Sequence, residues 1–508
     1  MPDMNKKYFR AFKGLFIIFP FLFNTGNASG AGTKYYFDFN ERCNQAYEAM
    51  MSLKIKEANL MLQEELKEHP QNLIPILIAN YDDCLTLLFN GDANEYKKRK
   101  GNLDRRMALI DKGDPSSPWY KYAKGSLYFQ WAAVRLRFDE YFSGGSEFRK
   151  SFMQLKDNRK KFPSFKYNQV LLGLEEAIVG TVPDKYKWIA NMLGMRGDVK
   201  KGTAQIVDFL NTRDGRANVL REEAIFFYAY LKFFLLSEPK AIWKYFDESD
   251  LDFKNNHLFA FMKANLAIDD NKAAVAEQTL RNMSQGAAYL EVPMFNYQMG
   301  VALLQKNDGG CIAYFQKFLS RYRGRMFVKD AYQKMSFYNI ITGDVEQAQS
   351  YKEKILKSGT VQIDADKQAQ RYAQGSVMPD PLLLKARLLC DGGYMDQALQ
   401  LLQGKKVNDF SNETDKLELT YRLARIYTLT GKPETAITYY EATIKAGSSR
   451  PEHFASRSAL ELGQIYEQQG NKAKAIDAYK RCINMKDHDF ESSMEQKAKA
   501  GINRLGGK

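Results

Sequence analysis

The side chains that could carry out chemistry in this 508-residue chain are few and scattered. It has four histidines, and none stands in the His-Glu-x-x-His spacing of a paired metal ligand. His488, between Asp487 and Asp489, offers donors to a metal, but adjacent residues converge on one ion only in a fixed loop. His69, directly before Pro70, fits a helix end, where an imidazole interacts with the last turn. We therefore predict no metal site and no cofactor.

Motifs of nucleophilic and phosphate chemistry are missing as well. The sequence has no Gly-x-Ser-x-Gly elbow, no phosphate-binding loop and no Gly-x-Gly-x-x-Gly fingerprint. The carboxylate pairs Glu175-Glu176 and Glu222-Glu223 are typical of solvated helix surfaces. Because glycosidase carboxylates follow no local spacing rule, a catalytic dyad stays an open alternative. We predict that the protein is not an enzyme and has no catalytic residue.

The five cysteines lie far apart, each within a helical pattern. They are Cys43, Cys84, Cys311, Cys390 and Cys482. No Cys-x-x-Cys occurs, so the sequence carries no zinc or dithiol redox motif. We expect the thiols to be buried as small apolar side chains, with a Cys43–Cys84 disulfide as the open alternative.

Residues 1–31 have the composition of a secretory signal peptide. Four basic residues between positions 6 and 13 precede an apolar run at 14–23, and small and polar residues follow through Ala31. A run of about 10 residues is too short to span a bilayer, although an uncleaved anchor is an alternative. We predict a periplasmic or secreted protein of a Gram-negative cell envelope. This location argues against a nucleic-acid partner.

The chain is basic, with 74 Lys and Arg against 60 Asp and Glu, a formal net charge of +14. Clusters at 97–100 and 159–161 could meet an anionic partner such as a membrane surface, a polyanion or an acidic protein. Acidic residues are interspersed through most of the chain, which favours solvated helix ends instead.

A recurring pattern of small and large side chains organises the rest of the chain. From Gly463, a large residue follows after three positions (Tyr466), a small one after twelve (Ala475) and an aromatic one after sixteen (Tyr479). Small residues let two helices approach, and large ones fill the space beside them. The same spacing can be laid from Ala46, Ala264, Ala386 and Ala424, and from Ala229, where it leads to Ala241 and Tyr245. A period of about 34 to 40 residues predicts a helical solenoid.

Two further units fit this spacing less well. From Ser336 it leads to Asn339, Ala348 and Lys352, whereas from Gly300 the second small residue, Ala313, arrives one position late. Glycines between the two helices of a unit predict the left-handed residue that ends a helix. These glycines are Gly343, Gly393, Gly431 and Gly470.

The pattern resembles the tetratricopeptide repeat, most closely over residues 382–486 and less closely over 225–357 and 40–70. Most units lack the aromatic residue that often opens the first helix, and only the first closes with a proline. The resemblance implies an all-α, right-handed superhelical solenoid of antiparallel helix hairpins, with a concave groove that binds peptides or protein surfaces. The whole chain also resembles large secreted repeat proteins common in Bacteroidetes.

The register divides the chain into five predicted segments. They are a signal peptide (1–31), divergent helical repeats (32–225), central repeats (226–360), a connecting segment (361–381), and C-terminal repeats with a capping helix (382–508). Helical patterns in the divergent region cover Leu73–Phe89, Trp119–Phe142, Phe148–Lys161, Tyr167–Val179 and Val199–Leu210. The connecting segment is either a loop or an extra helix around Asp364–Ala373, and the cap is expected at Glu491–Leu505.

The resemblance also implies which side chains face the groove. In the resembled repeat, the positions six and three before the small residue of the first helix, and one and four after it, point inward. In the best three units these are Asp380, Leu383, Arg387, Cys390, Glu418, Tyr421, Arg425, Thr428, Arg457, Leu460, Gln464 and Glu467. The predicted partner-binding residues are Arg387, Tyr421, Arg425, Arg457 and Gln464. The alternative is a solvated helix face with internal ion pairs such as Glu418–Arg425.

We predict an exported, non-enzymatic scaffold that binds a peptide or protein partner through this groove, with peripheral envelope association left open. The alternative is a glycan- or nutrient-capture protein beside an outer-membrane uptake system. Such proteins usually carry a lipid-anchoring cysteine and long non-helical insertions, and the sequence shows neither. An enzyme with an unrecognised active site is the third reading.

Overall fold

The computed structural model describes residues 34–212 and 219–507, and these residues are almost entirely helical. Extended backbone pairs there only at two isolated bridges, Tyr35 with Gly113 and Tyr36 with Asn72. The predicted signal peptide lies outside the described residues. For the described residues, the prediction of an all-α solenoid of antiparallel helix hairpins is confirmed.

The N-terminal half of the solenoid is built from hairpins of unequal length. Its helices are α1 (Glu41–Met51), α2 (Ile55–Glu68), α3 (Ile74–Asn90), α4 (Ala93–Arg99), α5 (Asn102–Ile110), α6 (Pro118–Arg137), α7 (Tyr141–Lys161), α8 (Asn168–Gly180), α9 (Asp184–Met192), α10 (Val199–Leu210) and α11 (Arg221–Tyr230). The predicted helix Trp119–Phe142 is wrong, because Asp139 adopts a left-handed φ of 65° and separates α6 from α7.

The central hairpins follow a short π-helix at Leu231–Leu235. They are α12 (Pro239–Glu248), α13 (His257–Asp269), α14 (Ala273–Arg281), α15 (Met294–Gln305), α16 (Gly310–Arg321), α17 (Val328–Thr342) and α18 (Val345–Lys357). The connecting segment then holds an extra helix, α19 (Asp364–Gln374). The C-terminal helices are α20 (Pro381–Gly392), α21 (Met395–Leu402), α22 (Glu413–Leu429), α23 (Pro433–Gly447), α24 (Phe454–Gln468), α25 (Lys472–Asn484) and α26 (Glu491–Arg504), with a 3-10 turn at Val407–Asp409.

The π-helix shifts the repeat register by one residue. A π-helix accommodates one residue more than an α-helix over the same length. As a result Ile242 and Phe246 are buried, and the predicted positions Ala241 and Tyr245 are only half-buried. In the Gly300 unit the predicted Ala313 is exposed, and Phe315 packs on the glycine instead.

Turn chemistry follows the sequence closely. The glycines expected to end the first helices all have left-handed backbone, with φ of 85° at Gly343, 89° at Gly393, 71° at Gly431 and 74° at Gly470. The capping helix α26 buries Met494 and its neighbours on one face, as its amphipathic pattern predicts. These turn and cap predictions are confirmed.

All five cysteines are buried and free, so the Cys43–Cys84 disulfide is not formed. Among the helices of residues 34–212 and 219–507, none combines the length and the apolar character that crossing a bilayer requires. The chain also packs back on itself at long range. The amide of Leu290 donates to the carbonyl of Leu53 at 2.7 Å, which joins the first hairpin to the segment before α15.

Candidate peptide-binding groove

A cavity of about 530 Å³ lies between the first helices of the C-terminal hairpins. Its walls come from α17, α20, α22 and α24, with the extra helix α19 and residues 489–490 at the rim. We call this cavity the C-terminal groove. Its polar lining includes Arg371, Arg387, Asp415, Glu418, Arg422 and His453, and its apolar lining includes Phe337, Tyr372, Met378, Phe454 and Phe490.

Arg387 on α20 has the longest ion pair of the three arginines that line the groove. Its side chain is 39 % exposed and meets Asp391 one turn later at 3.7 Å. The guanidinium also lies 5.7 Å from the ring centroid of Phe337, which fixes its direction. A single ion pair at this distance leaves most of the forked N–H donors open to a ligand.

Asp415, in the first turn of α22, is the complementary acceptor. Its half-buried carboxylate has neither a hydrogen-bond partner nor an ion-pair partner in the described part of the chain. Burial, together with the charges of Asp380 and Glu418, raises the pKa of Asp415 to about 6. A carboxylate held in this way gains most from a donor that a ligand supplies.

The floor of the groove is rigid and internally paired. Arg422 pairs with Glu418 at 2.9 Å, and both side chains are largely buried. Burial, assisted by nearby cations of which Arg422 is the strongest, lowers the pKa of His453 to about 3, so its imidazole is neutral. The His453 ring packs against Phe454 and Phe490, with centroids 4.5 Å and 5.3 Å away. This histidine is a packing residue of the floor.

An ion pair closes one rim. Arg371 of α19 meets Asp489 at 3.1 Å although 118 residues separate them, and the guanidinium also lies 5.4 Å from the Phe490 ring centroid. Both charged groups are about half exposed. The pair therefore joins α19 to the segment before α26 while staying open to water and screening.

The structure separates the five predicted binding residues. Arg387 lines the groove, whereas Tyr421 is 5 % exposed and packs 5.4 Å from the Phe454 ring. Arg425 and Arg457 both bind Glu461, at 3.0 Å and 2.8 Å. Gln464 is half-buried outside the groove lining.

The expected pair Glu418–Arg425 is wrong, because Arg425 extends to Glu461 of the next hairpin while Glu418 takes Arg422 of its own helix. Sequence reasoning missed Asp415, Arg422 and Arg371 because none occupies an inward position of the repeat register. The sequence gives one weak indication of Arg371, because a helix around Asp364–Ala373 is one of the two predictions for the connecting segment.

Comparison with known proteins supports the repeat at this site. Residues 415–487 match the family model described as "Tetratricopeptide repeat". The matched segment runs from α22 to α25 and contains both Asp415 and His453. No curated protein matches the chain. A chain of the solved structure "Crystal structure of APC/C hetero-tetramer Cut9-Hcn1" is similar at 10 % identity and a TM-score of 0.27, over 90 % of this chain and 89 % of that one.

The hairpins of α22 to α25, which match the tetratricopeptide family model, thus supply one wall and the floor, and α17, α19 and α20 supply most of the rest. A TM-score of 0.27 carries no argument about partners. Within the described ranges, no group of three His, Cys, Asp or Glu side chains could hold a metal ion. The groove can form hydrogen bonds and ion pairs with a ligand. His453, the histidine in its described lining, is neutral and packed against aromatic rings.

Proposed function

We propose that the protein is a non-enzymatic interaction scaffold that binds an extended peptide segment of a protein partner in the C-terminal groove. The observation that carries this proposal is the pair of Arg387 and Asp415 on neighbouring inner helices, one with open donors and the other with no partner. Helical repeat proteins bind partners on extended concave surfaces, and the tetratricopeptide match over residues 415–487 supports this class of function.

An extended peptide offers the chemistry that these two residues lack. Its backbone N–H groups or a lysine can donate to Asp415, and its carbonyls or a carboxylate can accept from Arg387. Charge-assisted hydrogen bonds of this kind fix the direction of a bound segment. The rings of Phe337 and Tyr372 supply apolar contact for side chains between the two polar points.

We also propose that the scaffold works outside the cytoplasm, in a Gram-negative cell envelope. The basic and apolar pattern of residues 6–31 supports this location. The buried thiols are compatible with it, because burial raises the pKa of Cys43 to about 12 and keeps that sulfur protonated. A protonated, buried thiol is a poor nucleophile for disulfide exchange.

Affinity capture from native envelopes, with crosslinking, tests the function. The bait is the full mature chain, compared with Arg387→Glu and Asp415→Lys. Lys244→Glu is the matched control, because Lys244 also has a single acidic partner four residues later, Glu248, at 3.7 Å. We expect one protein partner to be captured by wild type and the control, and to be reduced at least about tenfold by both groove variants.

The result that contradicts the scaffold is clear binding to a polysaccharide panel with no protein partner above background. That outcome would favour the glycan-capture alternative. Equal capture by all four baits would leave a protein scaffold but remove the C-terminal groove as its binding site.

A further inference from the structure

A second cavity, of about 520 Å³, lies where the N-terminal hairpins meet the central ones. Helices α3, α6 and α11 form one side, and α13, the start of α15 and residues 326–327 form the other. The lining is almost entirely apolar, and its volume falls within the range of about 300–1,000 Å³ that is usual for small-molecule sites. We call it the apolar cavity.

Packing around the apolar cavity holds it open. Phe89 of α3 meets Phe261 of α13 edge to face, with centroids 4.9 Å apart, so the two sides brace each other. The backbone hydrogen bond from the Leu290 amide to the Leu53 carbonyl also joins the N-terminal hairpins to the central ones. A cavity of this size with apolar walls offers an apolar ligand many dispersion contacts.

Two polar groups mark the ends of the apolar cavity. Glu223 is 6 % exposed and accepts a hydrogen bond from the Tyr81 hydroxyl at 2.9 Å. At the other end, Arg137 donates through Nε to the Leu88 carbonyl at 3.4 Å and through Nη2 to the Tyr322 hydroxyl. Tyr81 and Leu88 are seven residues apart on α3, which places the two ends about 10 Å from each other.

The two ends differ in what they need. Arg137 has no carboxylate partner within residues 34–212 and 219–507, although its neighbours are largely apolar. A cation in such surroundings is stabilised by an anion that shares its desolvated site. Glu223 already accepts a hydrogen bond from Tyr81, and burial raises its pKa to about 7, so it carries less negative charge at neutral pH than an ordinary carboxylate. The cavity therefore lacks one anionic group, a partner for the Arg137 guanidinium.

We propose that the apolar cavity binds a monocarboxylate amphiphile, a fatty acid, with its carboxylate on Arg137 and its hydrocarbon chain bent within the cavity between α3, α6 and α11. The carboxylate forms charge-assisted hydrogen bonds with the guanidinium, and the chain contacts the rings of Phe89, Phe129 and Phe227. This site is separate from the C-terminal groove and shares no lining residue with it.

The test is calorimetric titration of the full mature chain at pH 7.5 with dodecanoate, methyl dodecanoate and dodecylamine. We expect saturable one-to-one binding of dodecanoate, at least about tenfold tighter than of the ester or the amine. Arg137→Gln should bring dodecanoate down to the affinity of the ester and leave ester binding unchanged. Arg149→Gln is the control, because Arg149 also donates to a backbone carbonyl, that of Leu193 at 3.0 Å, away from the cavity.

A filling variant gives an independent check. Ala133 lines the apolar cavity, so Ala133→Phe should remove binding of dodecanoate and of the ester together. Circular dichroism confirms that each variant is folded, and if Ala133→Phe fails to fold, the acid-against-ester ratio of Arg137→Gln decides alone. The proposal is overturned if wild type does not bind dodecanoate saturably, if acid, ester and amine bind equally, or if Arg137→Gln leaves that ratio unchanged.

Discussion

The ring of Tyr479 lies so close to Gly463 that a methyl group on this glycine would overlap the ring atoms Cδ1 and Cε1. The opposite edge of the ring meets Gly501 of α26 in the same way. The tyrosine hydroxyl donates to Glu467 at 2.6 Å. Tyr479 therefore joins α24, α25 and the capping helix, and the two glycines make the space for it.

Gly463→Ala should destabilise the C-terminal repeats by about 1–3 kcal/mol, because the added methyl displaces a ring that packing holds on both sides. Chemical denaturation followed by circular dichroism measures the shift of the midpoint. Gly145→Ala is the control, since Gly145 is also helical but has open space around its Cβ position. It should stabilise by roughly 0.5–1 kcal/mol through helix propensity. Equal effects at both sites would contradict the packing argument.

Glu461 holds two arginines from successive repeats. Burial opposes its ionisation, but Arg457 and Arg425 overcome this and lower the pKa of Glu461. Glu461→Gln leaves two partly buried arginines without a counter-ion, so we expect a loss of about 2–3 kcal/mol, below the loss expected for fully buried charges.

A matched control compares this triad with an exposed pair. Glu441→Gln removes the partner of Arg481, also in a neighbouring repeat, but both side chains are more than one-third exposed. It should cost at most about 1 kcal/mol. Chemical denaturation measures the free energy of unfolding of both variants. Similar losses in Glu461→Gln and Glu441→Gln would show that burial does not strengthen the ion pairs of Glu461.

Binding of the partner should depend on pH through Asp415. Its pKa of about 6 in the folded protein means that acidification from pH 7.5 to 5 protonates the acceptor and weakens the complex. We expect a several-fold rise in Kd across this window for wild type and a flat, weaker profile for Asp415→Asn. His453 cannot produce the change, since its pKa near 3 keeps it neutral throughout. The same pH profile in both proteins would refute this role of Asp415.

The same residue should also limit stability. The pKa of Asp415 is higher in the folded protein than its ordinary 3.8, so ionisation disfavours the fold. Its contribution is therefore most favourable below pH 3.8 and declines as pH rises to about 6. At pH 7.5 we expect Asp415→Asn to unfold at a higher denaturant concentration than wild type while binding the partner less well. This prediction is contradicted if the denaturation midpoint of Asp415→Asn at pH 7.5 equals or lies below that of wild type, and if the difference between the two proteins is the same at pH 4.

The repeat pattern predicted most of the fold because each unit depends on local contacts between small and large side chains. It failed where the helix itself changed, as at the π-helix of Leu231–Leu235, whose extra residue leaves no mark in composition. It also failed at Asp139, where a residue other than glycine adopts left-handed backbone. Both features depend on packing by neighbouring helices, which a single repeat does not contain.

The groove was less predictable than the fold. Arg387 faces it as the register implies, but Tyr421 turns into the core because Phe454 of the next hairpin offers a ring to pack against. Asp415 and Arg371 reach the groove from a helix start and from α19, which the register does not cover. Their positions follow from how whole hairpins stack, and this information is spread over the chain from Gln333 to Phe490.

Site-specific photocrosslinking tests the central claim most directly. Gln368 of α19 is exposed and lines the C-terminal groove, whereas Gln403, at the end of α21, is also exposed but lies outside the groove lining. With a photoreactive residue at each position, we predict that the captured partner crosslinks at 368 through one short segment, and does not crosslink at 403. Crosslinking at 403 alone, or no crosslink at 368 while the partner is still captured, would contradict binding in this groove.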